Sequence, residues 1–151
     1  MHFVHLGIHT EFSITESIVR IPDLIKAAVN DEMPALALTD LSNLHAAVKF
    51  YTKCLDKGIK PILGSNIRLN DAEHKVTLLS MTNKGWRSLT EIVSRGFIEG
   101  QQLDIPCVQK EWVLEQNQDI IVLLGMHSDV GKMLISSNPQ KADALLEEWI
   151  E

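Results

Sequence analysis

The stretch HLGIHTEFS, residues 5–13, decides how the chain is read. If residues 5–9 form a strand, His5, Gly7 and His9 share one face, because strand side chains alternate with a period of two. Two imidazoles on one face suit a metal-ligating strand, but the glycine between them offers no donor. The stretch therefore reads as the opening strand of a metal site that has lost one of its ligands.

The rest of the chain frames that reading. Its 151 residues, 45% of them hydrophobic, suffice for one domain with a real core. The formal net charge of -6 makes the surface on balance repulsive to phosphate backbones and anionic lipid, so little direct DNA binding is expected. Apolar runs such as IIVLLGM (120–126) fall well short of the roughly 18 residues of a membrane span. No basic region followed by an apolar stretch and a cleavage site opens the chain, and a cytoplasmic protein is expected. Cys54 and Cys107 lie far apart and form no C-x-x-C pair, which predicts two reduced, structural thiols.

Aliphatic and β-branched runs alternate with helical patterns throughout, which predicts a parallel sheet or barrel flanked by helices. Strands are expected at 2–6, 35–39, 60–69, 75–81 and 119–125. Helices are expected at 21–32, with Pro22 in its first turn, and at 43–58, where Leu44, Val48, Tyr51 and Leu55 form an apolar stripe before Gly58. Further helices are expected at 83–97, with Trp86, Leu89, Val93 and Phe97 inward and Gly85 and Gly96 weakening the ends, and at 110–116 and 140–151. No repeat, low-complexity tract or Pro/Gly-rich linker divides the chain. The last helical pattern has no closing strand after it, so the chain is expected to be part of a larger domain. Its open sheet would then invite self-association.

Several local signals reduce to structure. GMHSDVGKM (125–133) has five residues between its glycines and Met133 after the lysine, where a phosphate-binding loop needs four and a Ser or Thr. It reads as a strand-to-helix turn capped by Ser128 or Asp129. His127, Ser128 and Asp129 are consecutive and cannot relay protons as a triad. His2, His45 and His74 stand alone at surface or strand-end positions, and LLEEWIE (145–151) reads as a solvated helix face. Trp86, Trp112 and Trp149 read as core or groove anchors rather than a base-stacking platform.

Four ordered stretches carry a resemblance: FVHLGIHTEFS (3–13), MPALALTDLSNLHAAVKFY (33–51), GIKPILGSNI (58–67) and NKGWRSLTEIVSRGF (83–97). Together they resemble the N-terminal PHP (polymerase and histidinol phosphatase) domain of the bacterial DNA polymerase III alpha-subunit family. The resemblance implies an α/β fold, a distorted seven-stranded β/α barrel. Residues 1–151 would be its N-terminal portion, the remaining strands and the polymerase domains lying outside the chain. Metal-binding members of the family gather His, Asp and Glu at the carboxyl ends of barrel strands, where divalent metals polarise a phosphoryl group and acidify a bound water.

Carried over residue by residue, the resemblance implies a degenerate site. The H-x-H of the first strand becomes Gly7 and His9. The acidic residue followed by glycine becomes Glu16 and Ser17. The T-D-H ending the second strand becomes Thr39, Asp40 and Leu41, and the glutamate of the G-x-E after the third becomes Asn66. What survives is His9, Asp40 and Glu16, too few donors for a metal cluster. No catalytic residue and no bound metal are expected, His9 and Asp40 being the remaining candidates. They are expected to hydrogen-bond one another or nearby backbone where metal once sat.

The implied role is a structural scaffold in DNA replication that docks the proofreading exonuclease (epsilon) subunit within the polymerase III holoenzyme. The parent chain would be a DNA-directed DNA polymerase using Mg²⁺ at carboxylates far downstream. The competing role is a metal-dependent phosphoesterase or 3′–5′ exonuclease, which would need Zn²⁺ or Mn²⁺ at His9, Asp40 and later ligands. A free-standing histidinol-phosphate-type phosphatase fits less well, because NLHAAVKFYTKCLDKGIKPILG (43–64) follows the polymerase branch.

Overall fold

The computed structural model describes residues 3–70 and 73–150. In chain order the elements are α1 (Ile21–Asn30), β1 (Ala35–Leu38), α2 (Ala47–Asp56), β2 (Lys60–Arg68), β3 (Lys75–Ser80), α3 (Asn83–Ile98), β4 (Gln101–Gln102), β5 (Ile105–Pro106), α4 (Lys110–Glu115), β6 (Ile120–Leu123), α5 (Asp129–Ile135) and α6 (Pro139–Ile150). Strands expected from 35, 60, 75 and 119 are present, as are all five expected helices. No described helix is long and apolar enough to cross a membrane.

The four longer strands form one sheet in the order β1-β2-β3-β6. β1 and β2 run parallel, Ala35 opposite Lys60 and Leu38 opposite Leu63. β3, however, runs antiparallel to both β2 and β6, with Gly64 opposite Leu79, Arg68 opposite Lys75 and Thr77 opposite Leu123. The expected parallel sheet is therefore a mixed one. Its cause is connection length: residues 69–74 allow a hairpin-like return, whereas a parallel crossover takes about a dozen residues or more. The described residues show this mixed sheet and a small second one, β4-β5, not a seven-stranded barrel.

The expected strand at 2–6 is not one. Position 2 lies outside the described residues, and residues 3–10 belong to no strand. The segment nevertheless lies along β1, where the amides of Ala37 and Thr39 donate to the carbonyls of His5 and Ile8, both at 2.9 Å. Donors two residues apart thus meet acceptors three residues apart. One extra residue breaks the alternation, as in a β-bulge, so His5, Gly7 and His9 do not form the regular face that the spacing predicts.

Two apolar clusters make the core. One joins Ile21, Ile25 and Ala28 of α1 to Leu36 and Leu38 of β1 and to Phe50 and Cys54 of α2. The other joins Ile67, Val76 and Leu78 of the sheet to Leu89, Ile92 and Val93 of α3 and to Val108 and Val113. In α2 the predicted stripe faces the wrong way: Val48, Tyr51 and Leu55 are exposed, while Ala47, Phe50 and Cys54 are buried. Both sets recur at helical spacing, so periodicity alone could not choose. In α3, Leu89 and Val93 are buried as expected, Trp86 is half-buried and Phe97 is exposed.

The glycines of α3 do more than weaken its ends. A Cβ at Gly85 would come within 2.1 Å of the Asp119 carbonyl oxygen, and one at Gly96 within 3.0 Å of Val108 Cγ2. Both let the helix lie close to neighbouring chain. The β4-β5 hairpin escaped the sequence because its two-residue connection, Leu103-Asp104, has positive φ at both positions (50° and 65°) without the usual Asn-Gly. The turn before α5 is as expected, since the Ser128 hydroxyl accepts the Gly131 amide at 3.0 Å. Cys54 and Cys107 are buried, reduced thiols. Trp86, Trp112 and Trp149 pack, partly buried, against the second cluster. Lys110 ties α6 down, reaching Glu148 at 2.8 Å and lying over the Trp149 ring at 4.7 Å.

Candidate functional site

The candidate residues gather where β1 and β2 end. An isolated bridge between Leu41 and Asn66 extends the parallel pair, and the Ser42 amide donates to the Asn66 carbonyl at 2.7 Å. Only β1 and β2 are parallel here, and it is at their carboxyl ends that the candidates meet. The loop 10–19 closes over that end.

Asp40 lies beneath the loop, 1% exposed. A carboxylate that deep needs partners, and it has three donors. The Thr10 amide reaches Oδ1 at 2.6 Å, the Thr10 hydroxyl reaches Oδ2 at 2.8 Å and the Ser13 hydroxyl reaches Oδ1 at 2.7 Å. The same Ser13 oxygen accepts the Leu41 amide at 2.9 Å. Asn43 fastens the loop further by donating to the Phe12 carbonyl at 3.1 Å. Asp40 is thus committed to holding the loop against β1.

His9 is committed elsewhere. Its Nδ1 lies 2.9 Å from Glu16 Oε2, and its Nε2 lies 3.4 Å from the Asn66 amide nitrogen. This geometry suits a proton on Nδ1 aimed at the carboxylate and Nε2 accepting from the amide. Ser17 donates its hydroxyl to the His9 carbonyl at 2.8 Å. The expected pairing of His9 with Asp40 is absent among the described residues; each bonds to other groups instead. The alternative, a bond to nearby backbone, holds for Asp40 through the Thr10 amide.

The spacing gave no sign of two basic residues at this end. Because β3 is antiparallel, its first residue, Lys75, stands directly opposite the last residue of β2, Arg68. Like charges in directly opposed positions repel. Glu16 answers both: Oε1 pairs with the Lys75 ammonium and lies 4.0 Å from the Arg68 guanidinium. Burial raises the Glu16 carboxyl, but the Lys75 hydrogen bond and charge, with His9 and Arg68 behind them, outweigh it and hold the group below its ordinary 4.5.

These residues do not fit a metal cluster. Both oxygens of Glu16 are engaged by basic side chains, and Asp40 is saturated by hydroxyl and amide donors. Gly7 and Leu41 offer no donor side chain, and Asn66 offers a neutral amide. Around Gly7 there is open space, with nothing within 4 Å of an added Cβ. Among the described residues no three His, Cys, Asp or Glu side chains converge as a metal ion would require.

The family model of the PHP domain matches residues 5–151. The chain belongs to the PHP domain family. This PHP domain is 41% identical to the DNA polymerase III subunit alpha of Pseudomonas fluorescens over 98% of its length. It is 42% identical to that of Pseudomonas aeruginosa over 99% and 35% identical to that of Escherichia coli over 98%. In each case it spans 13% of the relative's own length. A solved structure from Bifidobacterium adolescentis, named as a metal-dependent phosphoesterase, overlaps 93% of this chain and 50% of its own at 17% identity, with a TM-score of 0.44.

Proposed function

We propose that this PHP domain serves DNA replication as the N-terminal part of a DNA polymerase III alpha subunit, acting as a metal-free scaffold that docks the proofreading exonuclease subunit. In that reading the four-stranded sheet is completed to a distorted seven-stranded barrel by strands from the rest of the parent chain. The parent is a cytoplasmic, Mg²⁺-dependent DNA-directed DNA polymerase whose nucleotidyl transfer belongs to another domain. The identity to polymerase alpha subunits over nearly the whole chain supports the context. The observation that carries the scaffold role is the Glu16 carboxylate, whose oxygens are taken by Lys75, Arg68 and His9 rather than left free for an ion.

The test is twofold. The full-length alpha subunit, purified without chelator, is expected to contain no stoichiometric zinc or manganese in its PHP domain and to retain the exonuclease subunit on a column at about micromolar concentration. Stoichiometric metal, together with hydrolysis abolished by chelator, would replace the scaffold by the phosphoesterase reading. Failure to retain the exonuclease subunit would remove the docking role.

A further inference from the structure

We propose that Lys75 is a built-in counter-cation, which takes over electrostatically the place of a divalent ion and keeps this end of the sheet closed to one. The proposal rests on the metal-free reading and adds to it the residue responsible.

Several independent placements converge on Lys75. The register of β2 and β3 puts it opposite Arg68, at the end of the sheet where β1 and β2 finish. Its ammonium meets Glu16 Oε1, the carboxylate at the family's acidic position, while the other oxygen of that carboxylate faces His9. His9 in turn faces Asn66, which stands at another ligand position. Lys75, Glu16 and Arg68 are each only about a quarter exposed, with side-chain exposures of 22%, 25% and 23%. Charge interactions there are screened less than at an open surface.

The electrostatics follow from the sign of each group. A cluster of carboxylates and imidazoles needs a cation to hold it together, and a metal ion supplies one at the cost of an open ligand set. Here a covalently attached ammonium supplies it. A divalent ion entering the same space would have to displace Lys75 from Glu16 and then sit beside two positive side chains, which opposes binding. The lack of a ligand at Gly7, Leu41 and Asn66 is therefore only part of the barrier. Restoring those ligands while leaving Lys75 in place would restore only a weakened site.

The experiment rebuilds the ligands in the full-length chain as G7H/L41H/N66E, with and without K75M, and titrates Zn²⁺ alone by calorimetry after circular dichroism has verified folding. Zinc is expected to bind at least about tenfold more tightly in the K75M background. Equal binding in the two backgrounds, or binding in neither, overturns the proposal. Stoichiometric zinc in the unmodified protein would instead defeat the metal-free reading itself, so the two failures are distinct.

A second measurement needs no rebuilt ligands. In K75M alone, amide exchange at Glu16 and Ser17, whose N–H groups donate to the Ser13 carbonyl, is expected to accelerate about tenfold, with K75R close to the unmodified rate. Unchanged exchange in K75M also overturns the proposal.

Discussion

Asp40 holds Thr10 twice, accepting its backbone amide at 2.6 Å and its hydroxyl at 2.8 Å. Because Ser13 donates to the same carboxylate, one buried side chain carries the start of loop 10–19 on the end of β1. D40A would strand an amide and two hydroxyls in a dry site. It is expected to cost about 3 kcal/mol or more in chemical denaturation, and D40N, which keeps the shape and one acceptor, about half of that. A D40A protein as stable as the unmodified one would show that the three bonds contribute nothing net.

Adding Zn²⁺ or Mn²⁺ is expected to leave the thermal midpoint of the domain unchanged. A site of micromolar affinity at about 100 μM ion would add roughly 2.7 kcal/mol and raise the midpoint by several degrees. A shift of that size by differential scanning fluorimetry would contradict the commitment of Glu16 to Lys75.

Gly7 and Gly85 should respond oppositely to the same change. G7A adds a methyl group to open space and is expected to be near neutral. G85A drives a Cβ to 2.1 Å from the Asp119 carbonyl, and is expected to cost about 1–3 kcal/mol as α3 is pushed off its neighbour. Urea midpoints of the two variants check this directly.

Burial pushes the Cys54 thiol up to about 11 from its ordinary 9.0. The folded state therefore holds its proton more tightly than the unfolded chain, and this contribution to stability is present below pH 9.0 and lost as pH rises through about 11. Native Cys54 is expected to resist a thiol reagent such as dithiobisnitrobenzoate at about pH 8, reacting only after denaturation. Rapid labelling of the native protein would show that the site opens.

Much of the fold was legible because its signals are local. Helices α1 and α3 follow from periodicity, and the start of α5 from the Ser128 cap. Orientation was less legible. Val48, Tyr51 and Leu55 repeat as regularly as Ala47, Phe50 and Cys54, and only packing against β2 and α1 selects the second set. The direction of β3 could have been read from its short connection at 69–74, but the helix-strand alternation favoured the parallel reading.

The same distinction governs the site. His9, Glu16, Asp40, Leu41 and Asn66 are brought to one end of the sheet, as their motif positions imply. Their partners were hidden. Lys75 reaches Glu16 only because β3 is reversed, and Thr10 and Ser13 reach Asp40 only because loop 10–19 folds back under its own hydrogen bonds. Residue type pointed to His9, Glu16 and Asp40 as the candidates, whereas tertiary register supplied their partners.

On the proposed reading of Lys75, its pair with Glu16 also makes single substitutions ineffective. L41H or N66E alone would add a donor while the ammonium still holds Glu16, and K75M alone would leave Arg68 and Glu16 to rearrange without a full ligand set. Affinity for an ion would then depend on the substitutions together rather than on any one of them.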